Sequence, residues 1–493
     1  MSDNRPIVRK PPAKFIQNRP GPANPVDNRP RSAIPMQNRP AFNKPSARAV
    51  ALNTLQDVTR SDAYASLALD KRLRAVGLTA QDSALTTQLV YGVLEKRLAL
   101  DYRLNLLLKE PERIPPLARD LLRLGAYQIL YLDRIPDHAA CDETVKLAKL
   151  YPSGESYVAL INATLRRLSE KKDGMVPWPD DPLDALSIRL SWPRWVLERL
   201  IPSYGEEKTR EICLQHPVEA GINIRINPLK ISAEAFEKRM ALRKWQWRSG
   251  LLPGSYVVLG VGSIGEDPDF RSGLFSVEGV ASMLAADAVG AKPGIRILDA
   301  CAAPGGKSAF MAERMNQSGR VFAVDKYPHR VELIRAQVQR LGLENVKPIE
   351  RDMTLPNPEW QQQFDAVLID APCSGLGVAA DKPDIRYRLT PEGVDELVEI
   401  QRSLIEVCSS YVKPGGVMVY ATCSILPEEN AGQVEPFLKE HKEFRVDRTP
   451  IHGFTPDEFG LQLLPHRTSG ENPQWIEGFF VSRMIRSRSG LYA

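Results

Sequence analysis

Three of the six cysteines stand just beyond stretches that read as strands: Cys301 in RILDACAAPGGK, Cys373 in VLIDAPCSGLG and Cys423 in VMVYATCSILPEEN. A thiol on a strand-end loop is placed to act as a nucleophile once ionised. Beside them, Gly305 and Gly306 let the backbone turn closely beneath a bulky ligand. Lys307 opens a helix whose amino end is electropositive and suits a carboxylate-bearing ligand. Asp325 ends the strand VFAV, 26 residues beyond Asp299. That spacing suits acceptance from both ribose hydroxyls of an adenosyl group. Asp352, after the following strand, is placed to meet adenine. A nicotinamide or flavin cofactor would use some of the same geometry, so these residues leave the chemistry open and the thiols narrow it.

Carbon 5 of cytosine is a poor nucleophile. Attack of a thiolate on carbon 6, with N3 protonated or polarised, makes carbon 5 enamine-like and able to take a methyl group. A base then removes the carbon-5 proton and the thiol leaves. Cys373 and Cys423 both qualify as that thiol. A cysteine of pKa ~8.5 is only a few per cent thiolate near pH 7, and Lys307 is the candidate source of stabilising positive charge. Asp370, in the DAPC loop, shares the pocket of Cys373. Cys301 is expected to pack or to shape cofactor contact. Cys141, Cys213 and Cys408 fall in helical stretches and are expected to be core. The reaction needs no metal.

These residues need a sheet to bring them together. Strands are expected at 296–299, 321–324, 346–350, 366–370, 417–421 and 479–484, with helices at about 306–316, 328–341 and 391–412. Short apolar strands interleaved with helices imply a mainly parallel sheet covered on both faces. Its ligand is expected beyond the carboxyl ends of the strands, at a topological switch. Before this region, helical runs cover about 117–132, 139–150 and 155–169, and a leucine-valine stripe at 67, 73, 76, 85, 89, 90, 93 and 94 marks a bundle. Between the two lie helices at 191–216, a half-buried strand at 222–226, a helix at 232–243 and a strand at 256–260. Arg225 and Asn227, on the side of Asn223, are expected to contact phosphate or to face water, the latter preferred.

The reading is of four parts. Residues 1–45 form a basic tail, 46–172 a helical domain, 173–272 a linker and small α/β extension, and 273–488 the α/β catalytic domain. The tail repeats Asn-Arg-Pro at 4–6, 18–20, 28–30 and 38–40. Its proline content and scarcity of apolar residues predict disorder or a polyproline-like chain. Nine Lys or Arg against two Asp put +7 there, so of the net +5 the other residues carry −2. Charge alone would not mark the body as a polynucleotide enzyme. Without a CxxC pair, disulfide and structural zinc scaffolds are not expected. Without a long apolar run, neither a secretory signal nor a membrane span is expected. The cytoplasm is the natural compartment, and the monomer the expected state, with no required protein partner.

Taken together, these motifs resemble those of the RNA cytosine-C5 methyltransferases of the Sun/Fmu or NOL1/NOP2 family. The likeness spans nearly everything after the tail. YGVLEKRLALDYRLN lies in a region similar to the family's antitermination-factor-like RNA-binding domain, and SWPRWVLERLIPSYG with INIRINPLK resembles its small α/β extension. GLFSVEGVASMLAADAV, LDACAAPGGKSAFMAE, DAPCSGLGV, KPDIRYR, KPGGVMVYATCSILPEEN and EGFFVSRM resemble its catalytic domain. The resemblance implies a Rossmann-like S-adenosylmethionine-dependent methyltransferase domain. It implies Cys423 as the nucleophile at carbon 6, Cys373 as the thiol that assists release of methylated RNA, and Asp370 at the target cytosine or the cofactor edge. Lys307 joins them in the catalytic group. The cofactor would be held by Cys301, Ala302, Ala303, Pro304, Gly305, Gly306 and Lys307, with Asp325, Arg330, Asp352 and Asp370. The implied substrate is a cytosine in a hairpin of 16S rRNA near the decoding centre, in free or early-assembly RNA. The same chemistry on tRNA or another ribosomal position, or a non-catalytic assembly factor, is the alternative. The chain differs from the usual family pattern at Glu278-Gly279, where Gln-Asp is common, and at Ala380 and Asp381, where a basic pair is common.

Overall fold

The computed structural model describes residues 46–61, 63–174, 176–217, 221–468 and 474–488; the Asn-Arg-Pro tail expected at 1–45 lies outside them. Among the described residues, eight α-helices between Ala47 and Glu170 pack around one apolar core. The stripe expected there is right at Leu89, Val90, Val93 and Leu94 and wrong at Leu67, which is 67% exposed. Its helix, Ala65–Val76, buries Ala65, Ala68 and Leu69 instead. At 100° per residue that register turns position 67 to solvent.

Two helices follow, Pro182–Leu190 and Arg194–Leu214, the second kinked at Gly205 (φ 74°) after Pro202. A four-stranded antiparallel sheet comes next, from Ile222–Ile226, Gln246–Ser249, Ser255–Leu259 and Phe275–Val277. Its core of Ile224, Phe236, Tyr256 and Phe275 is separate from the core of the two helices. Those helices pack Trp192, Val196, Leu197 and Leu200 against Leu376, Ala379, Ile425 and Leu426. The segment expected to belong to the small extension therefore buttresses the loops that carry Cys373 and Cys423.

The large sheet contains β1 (Arg296–Asp299), β2 (Arg320–Asp325), β3 (Val346–Glu350), β4 (Phe364–Asp370), β5 (Val412–Thr422), β6 (Phe444–Val446) and β7 (Phe479–Arg486). The order is β6-β7-β5-β4-β1-β2-β3, parallel from β5 through β3 and antiparallel at β7 and β6. Successive residues alternate between two cores. Ala366 and Leu368 face the helices Val280–Ala288 and Gly306–Arg314, while Val367 and Ile369 face the helix Pro391–Ser409. Coverage on both faces explains why Ala366 to Ile369 of β4 read as an unbroken apolar run. The chain steps outward from β1 through β2 to β3 and returns to pair β4 with β1, which makes the β1/β4 edge the switch point. Among the described residues no helix is long and apolar enough to cross a membrane.

Candidate active site

β4 and β5 end side by side, and the loops beyond them carry the two thiols. The Ala371 N–H donates to Ala421 O (2.9 Å), which continues the pairing to the loop mouth. Further on, Gly377 N–H donates to Cys423 O (3.0 Å) and Gly478 N–H donates to Gly377 O (2.9 Å). A Cβ on Gly377 would collide with the Gly478 carbonyl, so three segments meet here only because this position lacks a side chain. The outcome is a pair of half-buried thiols, Cys373 Sγ and Cys423 Sγ, 3.3 Å apart.

The two sulfurs differ electrostatically. Cys423 is held below the usual thiol value, first by its hydrogen bond with Cys373; Lys307 and Lys382 act in the same direction against burial and Asp370. Cys373 is held well above that value by the same hydrogen bond, then by burial and by the negative charges of Cys423 and Glu429. Lys307 Nζ sits 2.7 Å from Asp370 Oδ2 and 5.9 Å from the centre of the Phe479 ring. Burial alone would favour its neutral form, but Asp370 outweighs that and raises its pKa.

The loop expected to cradle a cofactor lies between β1 and the helix Gly306–Arg314. Ala302 N–H donates to Val324 O (2.8 Å), and Gly305 turns at φ 107°, a left-handed conformation that favours glycine. Behind the loop Asp299 is fully buried. One of its oxygens accepts from Ser308 Oγ (2.6 Å), the other has no partner, and burial pushes the carboxyl up to about 7. A buried carboxylate oxygen free to accept, next to a helix amino end, fits the ammonium and carboxylate of an amino-acid-bearing ligand. Asp325 is buried at the end of β2, accepts from Tyr327 N–H (3.2 Å), and has Arg330 Nη1 3.6 Å away. Asp352 lies past β3, but its oxygens are engaged by Thr354 N–H (3.0 Å), Thr354 Oγ1 (2.7 Å) and Lys326 Nζ (2.8 Å), which hold it down to about 2. Cys301 packs beside the core, and burial pushes its thiol well above the usual value. Cys141, Cys213 and Cys408 are buried, as expected of core residues.

The expectation for Arg225 and Asn227 is overturned. Arg225 is buried, donating to Glu278 (3.1 Å) and to Glu313, with its guanidinium 4.9 Å over the Phe310 ring. Asn227 is buried and donates to the carbonyls of Gly273 (3.2 Å) and Leu341 (3.1 Å). The small sheet packs these polar groups against the catalytic domain, which alternation along an isolated strand could not reveal. Glu278 thus takes part in a buried ion cluster. At Gly279, a Cβ would lie 2.6 Å from Glu477 Oε1, and Glu477 accepts from Ala281 N–H (3.5 Å) at the start of the helix Val280–Ala288. Asp381 accepts from Trp475 Nε1 (2.9 Å). Glu429 and Glu477 lie inside the motifs ATCSILPEEN and EGFFVSRM, but nothing in those motifs singles either acid out.

A mainly parallel sheet with this switch point and glycine loop defines a Rossmann-like domain, and the methyltransferase class follows from its relatives. Residues 287–485 match the family 16S rRNA methyltransferase RsmB/F, and residues 45–170 match the NusB family. The chain is 34% identical over 449 residues to the probable ribosomal RNA small subunit methyltransferase B of Bacillus subtilis, covering 90% of this chain and 99% of that one. It is 35% identical over 444 residues to the ribosomal RNA small subunit methyltransferase B of Thermus thermophilus, covering 90% and 98%. The fold is shared with the crystal structure of PH0851, with a TM-score of 0.74 and 24% identity over 90% of this chain and 99% of that one. The chain therefore belongs to the RsmB/F methyltransferase family, with a NusB-type helical domain, and its cofactor is S-adenosylmethionine.

Proposed function

We propose that this enzyme methylates carbon 5 of a cytosine in small-subunit ribosomal RNA through a covalent bond between Cys423 and carbon 6. The single observation that carries the reading is the thiol pair at 3.3 Å with opposite ionisation preferences, beside the Lys307–Asp370 pair. When bound, S-adenosylmethionine supplies an electrophilic methyl group. Cys423, as thiolate, attacks carbon 6, and the electron pair of the carbon 5–carbon 6 double bond becomes available at carbon 5. Asp370 hydrogen-bonds the ring, and Lys307 holds Asp370 while favouring the Cys423 thiolate. After methyl capture, loss of the carbon-5 proton to a base restores the double bond and expels Cys423. Cys373, which keeps its proton, assists release. The cradle 301–307, with Asp299, Asp325, Arg330 and Asp352, holds the cofactor; for Asp352, its existing partners leave adenine a shared rather than a sole claim.

In this reading residues 46–172 and 173–272 grip RNA around the catalytic part at 273–488, and 1–45 is a basic arm. The enzyme works as a cytoplasmic monomer on free or early-assembly RNA, as an accessible base requires. The relatives' names direct the choice to small-subunit rRNA over tRNA. RNA containing 5-fluorocytosine is expected to trap an adduct that disappears in Cys423→Ala and persists in Cys373→Ala; an adduct in Cys423→Ala would reverse the roles. Bisulfite mapping of 16S rRNA with and without the gene tests the substrate, and unchanged methylation throughout it would refute the ribosomal assignment.

A further inference from the structure

Glu429 is fully buried at the end of the short turn Pro427–Glu429, six residues past Cys423. Its Oε1 accepts from Ser374 N–H (2.8 Å) and Gln401 Nε2 (3.0 Å), and its Oε2 accepts from Ser374 Oγ (2.5 Å) and Ser424 Oγ. Ser374 follows Cys373 and Ser424 follows Cys423, so one carboxylate grips the residue next to each thiol. Gln401 also donates to Pro372 O (2.9 Å), on the other side of Cys373. We propose that Glu429 is a positioning residue that clasps the two cysteine loops and sets the direction of the hydrogen bond between Cys373 and Cys423. The inference rests on the two-cysteine reading above.

Two features support this over simple packing. The four donors occupy both carboxylate oxygens and come from both cysteine loops and the helix Pro391–Ser409, more than packing requires. Charge is also distributed unevenly across the pair. Glu429 acts on Cys373, whereas Cys423 faces Asp370 together with the cations Lys307 and Lys382, which oppose it. The uncompensated Glu429 charge beside Cys373, against an acid partnered by two cations beside Cys423, favours the shared proton on Cys373. Glutamine would fill the same space but would remove the charge and one acceptor.

The test uses the full chain as wild type, Glu429→Gln and the double variant Ser374→Ala/Ser424→Ala. Iodoacetamide labelling, resolved by peptide mass, reads how alkylation divides between the two thiols. Adduct formation with 5-fluorocytosine RNA reads chemistry, and S-adenosylmethionine binding reports an intact cradle. In Glu429→Gln, label is expected to shift toward Cys373 by about tenfold, the change one pKa unit represents. The adduct rate should fall about as much while cofactor affinity stays within about twofold. In the serine variant, which retains the charge, the adduct rate falls but label stays on Cys423. Wild-type partition and adduct rate in a folded Glu429→Gln would overturn the proposal. If that variant does not fold, an unchanged adduct rate in the serine variant overturns the clasp. Absence of any wild-type adduct would instead sink the two-cysteine reading itself.

Discussion

Cys423 and Cys373 are chemically alike in the chain and unlike in the molecule, and the difference lies in their neighbours. Lys307 favours the Cys423 thiolate, so removing that cation raises the Cys423 pKa toward the ordinary thiol value. In Lys307→Ala the pH midpoint for Cys423 alkylation is expected to move upward and adduct formation near neutral pH to fall about tenfold per unit moved. A midpoint unchanged from wild type would remove Lys307 from this role. Asp299 gives a second test. Its carboxyl, raised by burial to about 7, must ionise to receive a cationic ammonium, so cofactor affinity should weaken as pH falls through about 7. Calorimetric titration should show this dependence in wild type and a flatter, weaker profile in Asp299→Asn. The cysteine motifs were legible because each sits beside glycine, proline or serine at a strand end. Asp299 was legible as the head of the glycine-loop element, but its burial and unpartnered oxygen were not, because those are not properties of a motif.

At the scale of elements, the strand that ends in Ile226 shows how tertiary packing overrides alternation. Arg225 bonds Glu278 and Glu313, carboxylates from two other segments, and burial pushes Glu313 up to about 7 even with that partner. Arg225→Met leaves both carboxylates buried without their cation, at a cost of about 3–5 kcal/mol. Urea denaturation should show that loss, and Glu313→Gln alone should cost less. Gly377 marks a second constraint, because any side chain there meets the Gly478 carbonyl. Gly377→Val is expected to separate the Cys373 loop from Cys423 and abolish the adduct, whereas cofactor binding in the distinct 301–307 loop survives. The major strands were readable from apolar runs. The edge strand β6 was not, since three residues carry too little periodicity, and its place is decided by pairing with β7.

Across the whole molecule, KPDIRYR joins the catalytic domain to the helical one. Asp384 accepts from Ala65 N–H (3.2 Å), Arg386 donates to Glu95 O (3.4 Å) and Ala379 O (3.3 Å), and Arg388 donates to Ala63 O (3.2 Å). Arg386 also lies 4.3 Å over the Trp192 ring. Arg386→Met is expected to cost about 1–3 kcal/mol and to raise the KM for RNA while leaving cofactor affinity unchanged, as steady-state kinetics would show. The +7 of residues 1–45 belongs to this scale as well. Deleting them should weaken RNA association at low salt and make little difference at high salt, because counterion release supplies that term.

From the chain alone came the order of elements, the strand ends that carry chemistry and the cysteines worth watching, since these follow from local composition and periodicity. Only the folded molecule decided that Cys373 and Cys423 meet, that their protons are unequally held, that Glu429 joins their loops, and that Arg225 lies inside. Each of those depends on charges and donors far apart in sequence, brought within a few ångströms by strand order and by the packing of helices on both faces of the sheet.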